Sequence, residues 1–217
     1  MIALIDYKAG NLTSVKKALA TIGADVIVPG QPAELESVHG IIVPGVGHFG
    51  ATRALGSEWV DAILASVGEG RPLLGICLGM QWLYESSTEA PDLKGLGLLS
   101  GRCVRLPGTV RPRAESTDDT HEGDETVKVP HVGWNSLTIE HEASIVDGVP
   151  SGAQVYFTHS YVAPVTPHTV AVTEHGVPFA AIVQRGHVAG VQFHPEKSGE
   201  VGLRILRNFL DLAGGHR

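Results

Sequence analysis

The chain has 217 residues, a formal net charge of −7, 43% hydrophobic and 18% charged residues. That balance is typical of a folded globular protein, and no apolar run approaches the roughly 20 residues that a membrane helix needs. The acidic surplus repels a phosphate backbone, so protein or small-molecule partners are expected rather than nucleic acid or membrane. The length suits a single domain over residues 1–217. The start of the chain lacks a basic segment before a long apolar stretch, which predicts no secretory signal and a cytoplasmic protein. Cys77 and Cys103 have no C-x-x-C spacing, which argues against a disulfide framework and a structural zinc site.

Ile2 to Ile5 reads as a strand, followed by a helix carrying Val15, Leu19 and Ile22 on one face. Asn11 is placed to cap that helix and Gly23 to end it, before a strand at Val26 to Val28. The rhythm repeats with a strand at Ile41 to Val43, a helix from Ala51 to Val67, and a strand at Leu73 to Ile76 running into Cys77. Such alternation predicts an α/β fold with a mostly parallel sheet covered by helices. Beyond Leu96 come several strands in succession: Cys103 to Leu106, Val132 to Leu137, Val155 to Phe157, Val170 to Thr173, Ala180 to Val183 and Val188 to Phe193. These are expected to extend the sheet with antiparallel pieces. A last helix carries Val201, Ile205, Phe209 and Leu212 on one stripe. Between Pro107 and Lys128 the composition is polar and predicts an exposed, mobile loop; its His121, among acids, is expected to be solvated, and no metal site is assigned.

The segment Gly75-Ile76-Cys77-Leu78-Gly79 lies where a buried strand turns into the helical stretch Met80 to Tyr84, and it resembles a nucleophile elbow. Glycines two residues either side of Cys77 permit close strand-to-helix packing. The helix N-terminus favours the thiolate, and the Leu78 amide is positioned for an oxyanion. A lone cysteine is more often a small buried hydrophobe. The flanking glycines reverse that preference for Cys77, while Cys103 keeps it. A thiol needs a base, and His194 follows the apolar strand Val188 to Phe193 at the sheet edge. In extended backbone Glu196, two residues on, shares its side and can fix the imidazole tautomer, with Pro195 holding the turn. Gly45-Val46-Gly47-His48-Phe49-Gly50 matches G-x-G-x-x-G, but the next strand ends in Ile76-Cys77 without the acid a dinucleotide site wants. Aiming amides at an oxyanion is the preferred use of that turn.

Together, the glycine-flanked Cys77, His194-Pro195-Glu196 and the Pro44-Gly45-Val46-Gly47 turn resemble the class I (triad-type) glutamine amidotransferases. Within that class, Asp6 to Leu12, Pro130 to Asn135 and His159-Ser160-Tyr161 are similar to segments of the glutaminase subunits of imidazole glycerol phosphate synthase, from histidine biosynthesis. The likeness runs from the first strand to the last helix, although the polar loop around Glu115 to Glu125 is longer than usual. The resemblance implies hydrolysis of glutamine without a cofactor and passage of ammonia to a separate (β/α)8-barrel cyclase subunit, in a heterodimer. There the ammonia yields imidazole glycerol phosphate and aminoimidazole carboxamide ribotide.

On matching positions Cys77 is the nucleophile, His194 the base and Glu196 its orienter. Gly45, Val46 and Gly47 form the oxyanion turn, which in the family needs a peptide rotation driven by ligand in the partner. Gln81, His159, Ser160 and Tyr161 contact glutamine, and Asn11, Trp134, Tyr156 and Lys197 face the partner. Two alternatives stand beside this: a glutaminase serving another synthase, such as the one making pyridoxal phosphate, and a non-catalytic module binding a nucleotide at the Gly45 loop. The Pro130 to Asn135 segment speaks against the first and the intact Cys-His-Glu set against the second.

Overall fold

The structure is a computed structural model that describes residues 1–110 and 125–214. In chain order, β1 (Ile2–Leu4), α1 (Leu12–Thr21), β2 (Val26–Ile27), β3 (Gly40–Val43), α2 (Ser57–Gly68) and β4 (Leu73–Ile76) follow the predicted alternation. Then come α3 (Leu78–Trp82), β5 (Tyr84–Ser87), β6 (Leu99–Arg105), β7 (Thr109–Val110), β8 (Glu125–Thr126), β9 (His131–Ser136) and β10 (Thr138–Ile139). The chain continues through β11 (Gln154–His159), β12 (Tyr161–Val162), β13 (Thr169–His175), β14 (Val177–Arg185) and β15 (Val188–Val191) to α4 (Gly199–Leu212). His121 lies outside the described residues, as does most of the predicted polar loop; its two ends pair as β7 and β8. Among the described residues no helix is long and apolar enough to cross a membrane.

The eight-stranded main sheet has the order β10-β13-β14-β15-β4-β3-β1-β2. From β2 to β15 every neighbouring pair is parallel, and β15-β14-β13-β10 continue antiparallel. Connection length explains the change. β13 and β14, and β14 and β15, are joined by tight turns at Gly176 and Gly186, both with positive φ, whereas a parallel return needs a longer crossover. The later strands do not all join this sheet, as the sequence pattern had suggested. β5, β6 and β12 form a separate three-stranded sheet, and β9 with β11 a two-stranded one.

Local differences also have causes. The predicted helix from Ala51 to Val67 is split into a 3-10 segment, Phe49–Ala54, and α2, because Gly56 between them takes a non-helical conformation. Asn11 occupies the N-cap of α1 without a side-chain cap bond. Helix α3 stops at Trp82 rather than reaching Tyr84, since later chain claims its carbonyls: Leu96 N–H donates to Trp82 and Leu99 N–H to Leu83, at 2.7 and 3.0 Å.

Alternate residues of the central strands enter two cores. Leu4, Ile42, Leu74 and Ile76 pack with Val15 and Leu19 of α1 and with Ile205 and Phe209 of α4. Ile5, Ile41, Val43 and Leu73 pack on the other face with Ile63 of α2 and Met80 of α3. A parallel sheet covered on both faces explains why these strands are continuously apolar.

The approach of α3 to the sheet is set by two glycines. A Cβ at Gly79 would overlap the Val43 carbonyl, and one at Gly75 would run into the Gly79 carbonyl and Met80 amide. Gly79→Ala is therefore expected to lower stability by about 3 kcal/mol through overpacking against rigid backbone. Gly68→Ala, at a helical position facing open space, should raise it by roughly 0.5–1 kcal/mol. Urea unfolding midpoints of the two variants check the contrast.

Candidate active site

Three neighbouring parallel strands end level with one another. Val43 of β3 pairs with Gly75 of β4, and Ile76 of β4 with Val191 of β15. Gly45, Cys77 and His194, just beyond the strand ends, thus emerge at one place, at the carboxyl edge where open α/β sheets collect their ligands. Cys77 adopts φ 53° and ψ −107°. A positive φ costs a non-glycine residue about 1–3 kcal/mol, and the Cys77 N–H bond to the Val191 carbonyl, 2.7 Å, helps hold it there.

His194 Nδ1 donates to Glu196 Oε1 at 2.8 Å, with both side chains almost wholly buried. The pairing is as predicted but the backbone is not extended. Pro195–Lys197 is a 3-10 turn with Pro195 at its start, and this curl brings the carboxylate back to the ring. Ser198 clamps the turn: its Oγ donates to the His194 carbonyl at 2.7 Å and accepts from Tyr156 N–H at 3.0 Å. Burial pulls the His194 pKa down, but the Cys77 sulfur as thiolate and the Glu196 carboxylate outweigh it and raise the ring to about 9. At neutral pH the imidazole therefore carries its proton. Its Nε2 is buried without a hydrogen-bond partner, so the approach to Cys77 is looser than a formed hydrogen bond, as is common before substrate binds.

Cys77 opens onto a cavity of about 320 Å³ whose lining includes Val46, Gly47, Leu78, Gln81, Glu89 and the run Thr158 to Tyr161. The structure thus places Gln81, His159, Ser160 and Tyr161 around the same cavity as the thiol. A larger cavity of about 820 Å³, between the Glu142–Val149 segment and the end of α4, is lined by no cysteine and no triad residue. The amides of the expected oxyanion turn are engaged at rest. The Leu78 amide is not free but donates to the Gly45 carbonyl at 3.3 Å, and the Val46 amide donates to the Ala9 carbonyl at 2.8 Å. The cause is the orientation of the turn, which presents a carbonyl to Leu78.

The nucleotide alternative fares poorly here. The glycine-rich turn leads into a 3-10 segment, and the Phe49 amide at its start is held by the Glu89 carboxylate at 2.6 Å, an anion where a phosphate would have to sit. Of the partner-facing candidates, Trp134, Tyr156 and Lys197 cluster outside the cavity. Trp134 is 57% exposed, its ring edge-on to Tyr156, and Lys197 Nζ lies 5.6 Å from the Tyr156 ring centroid. Asn11 instead lines a small internal space beside His194 and Glu196. Cys103 is buried, burial pushes its thiol up, and it packs as expected.

Sequence reasoning missed Glu89, which lines the cavity, and two buried groups behind it, Gln192 and His131. His131 Nδ1 lies 3.1 Å from His159 Nε2, and His159 Nδ1 lies 3.1 Å from the Tyr161 carbonyl. A carbonyl can only accept, so His159 carries its proton on Nδ1 and its Nε2 accepts from His131. His131 also stacks on His175 with ring centroids 4.1 Å apart. Nothing in the sequence spacing links residues 131, 159 and 175. A polar Gln192 inside an apolar run was the one available signal. Among the described residues no group of three or more His, Cys, Asp or Glu side chains is arranged to hold a metal ion.

Fold and site together define a class-I glutamine amidotransferase, and the family "Glutamine amidotransferase class-I" matches residues 3–213. The crystal structure of a glutamine amidotransferase superposes with a TM-score of 0.72 at 22% identity, covering 99% of this chain and 100% of that one, a likeness of fold. Imidazole glycerol phosphate synthase subunit HisH of Halobacterium salinarum is 46% identical, over 97% of this chain and 92% of its own. The subunit of the same name from Geobacillus thermodenitrificans is 46% identical over 99% of this chain and 97% of its own. The chain belongs to the HisH subunit family.

Burial pushes the His131 pKa from 6.5 down to about 4, with His175 adding to the effect. Burial, with His131 adding to it, pushes His159 to about 3. The unfolded chain takes up these protons first, so the stability held by the neutral rings is present above pH 6.5 and is lost as pH falls through 4. Urea unfolding measured from pH 6.5 to 5 should show stability falling with acidity, and His131→Gln should flatten the slope by roughly one proton.

Proposed function

We propose that this chain hydrolyses glutamine to glutamate and ammonia at Cys77, with His194 and Glu196 completing a triad, and that the ammonia passes to a (β/α)8-barrel cyclase subunit in a heterodimer. The activity resides in one amidotransferase domain over residues 1–217, acting in the cytoplasm in histidine biosynthesis. The observation that carries this reading is the meeting of a strained Cys77 elbow, a buried His194–Glu196 pair and a cavity of small-ligand size at one sheet edge.

In this mechanism Cys77 gives its proton to His194 Nε2, and the resulting thiolate attacks the side-chain amide carbon as the electron pair of the C=O moves to oxygen. Protonated His194 gives its proton to the leaving nitrogen as the C–N bond breaks, releasing ammonia and a thioester. Water, deprotonated by the now neutral His194, attacks the thioester carbon, the C–S bond breaks, and glutamate leaves. Glu196 keeps the imidazole Nδ1 protonated throughout. The Gln81 Nε2 hydrogens are engaged by the Tyr161 carbonyl and Gln192 Oε1, which leaves its Oε1 as an acceptor for the α-ammonium group of glutamine. Glu89, the carboxylate in the cavity lining, favours the same cation.

The exposed Val132 and Trp134 of β9, with Tyr156 and Lys197, form an aromatic and cationic patch suited to a protein partner. Ammonia release, measured by coupled glutamate dehydrogenase assay, should be weak for the chain alone and rise at least ~10-fold with the barrel subunit and its ligand. Cys77→Ala should abolish it in both cases; unchanged release would rule out Cys77. Trp134→Ala should weaken binding of the barrel about 30-fold, as loss of an aromatic anchor does, by titration calorimetry.

A further inference from the structure

Gln192 has no place in the triad, yet its side chain is fully buried just beyond β15. Its backbone N–H continues the antiparallel ladder by donating to the Ala181 carbonyl at 2.9 Å. A glutamine needs partners at such a site, and the orientation of its amide follows from a single acceptor. The Tyr161 carbonyl receives Gln81 Nε2 at 2.9 Å, so Gln81 must turn its nitrogen that way. That nitrogen also reaches Gln192 Oε1 at 3.2 Å, so Gln192 presents oxygen to Gln81. Its Nε2 is thereby directed at the Cys77 sulfur, 3.7 Å away.

We propose that Gln192 is a further catalytic residue, whose side-chain N–H donates to Cys77 Sγ and favours the thiolate before it attacks. The proposal rests on Cys77 being the nucleophile. The sulfur lies between two groups of opposite character. The Thr158 carbonyl, 4.0 Å away, can only accept and so favours the thiol. Gln192 can only donate from Nε2, and a donor binds an anionic sulfur more strongly than a neutral one. Deprotonation therefore exchanges a weak S–H contact for a strengthened N–H bond, with no side chain having to move. An apolar residue of equal size would fill the space equally well and give no such preference.

The test uses the full chain with Gln192→Met, which keeps the shape without hydrogen bonds, and Gln192→Glu, which keeps the acceptor for Gln81 and loses the donor. Iodoacetamide should alkylate Cys77 about 10-fold more slowly in both variants at pH 7. In complex with the barrel subunit, kcat should fall by about 10-fold with KM changed less than about 2-fold. A cooperatively folded variant that alkylates at the wild-type rate would overturn the role.

A readout on the unaltered protein covers the case of variants that do not fold. The side-chain amide resonances of Gln192 in wild type should move with pH in step with the Cys77 alkylation rate, and resonances that stay fixed would overturn the role as well. If wild-type Cys77 reacts no faster than Cys103 and is not labelled by a glutamine-analogue electrophile, the nucleophile reading itself fails and takes this proposal with it.

Discussion

The bond from Cys77 N–H to the Val191 carbonyl, 2.7 Å, is the last rung of the β4–β15 ladder, and the placing of the thiol beside His194 depends on it. Because β4 and β15 are parallel neighbours in matched register, the residues after Ile76 and Val191 leave the sheet together. A slip of one residue would turn each side chain to the opposite face and separate Sγ from the ring. The rest of the site is referred to this rung. β3, on the other side of β4, brings the Gly45 turn, and Ser198 fastens the His194 turn to β11. Chemistry that needs sub-ångström placement is carried by the ends of strands whose bodies are among the most buried parts of the chain.

Local strain and local packing cooperate at this edge. The positive φ of Cys77 is unfavourable alone, but the elbow lets α3 begin at once and lie against β3 and β4 through Gly75 and Gly79. The cost, about 1–3 kcal/mol, is small beside the burial of Met80, Leu78 and Trp82 on α3, each worth roughly 1.5–3 kcal/mol. The same short helix sets Gln81 one turn from the sulfur, where its amide is held by the Tyr161 carbonyl and Gln192.

Much of this was legible in the residues. Continuous apolar runs at Ile41 to Val43 and Leu73 to Ile76 read as buried strands of a parallel sheet, and glycines flanking a cysteine at a strand end favoured an elbow over a merely packed thiol. The Glu196 contact was foreseen for a reason that did not hold: alternation along a strand, where the chain in fact curls into a 3-10 turn. The His194–Glu196 contact is made by the curl of the turn that begins at Pro195, which returns the carboxylate to the ring, and not by alternation. What stayed hidden was of another kind. Gln192, His131 and Glu89 reach the site by tertiary contact, over separations of 115, 28 and 40 residues to their partners Cys77, His159 and Phe49. No local pattern encodes such contacts. The partition of the later strands into separate small sheets was likewise set by which edges remained free.

The turn that would hold an oxyanion is tied to the loop between β1 and α1. Val46 N–H donates to the Ala9 carbonyl, and the Leu78 amide is taken by the Gly45 carbonyl, so under the proposed mechanism each bond must open before its amide can serve. Each bond contributes net about 0.5–1.5 kcal/mol, so the exchange costs only a few kcal/mol, the size of a typical coupling between two sites. Gly47, at φ 98°, gives the turn a residue that tolerates large backbone rotation. The loop that holds Ala9 also carries Asn11, beside His194 and Glu196. A contact that shifts this loop therefore acts on the Ala9 carbonyl and on the surroundings of the base together.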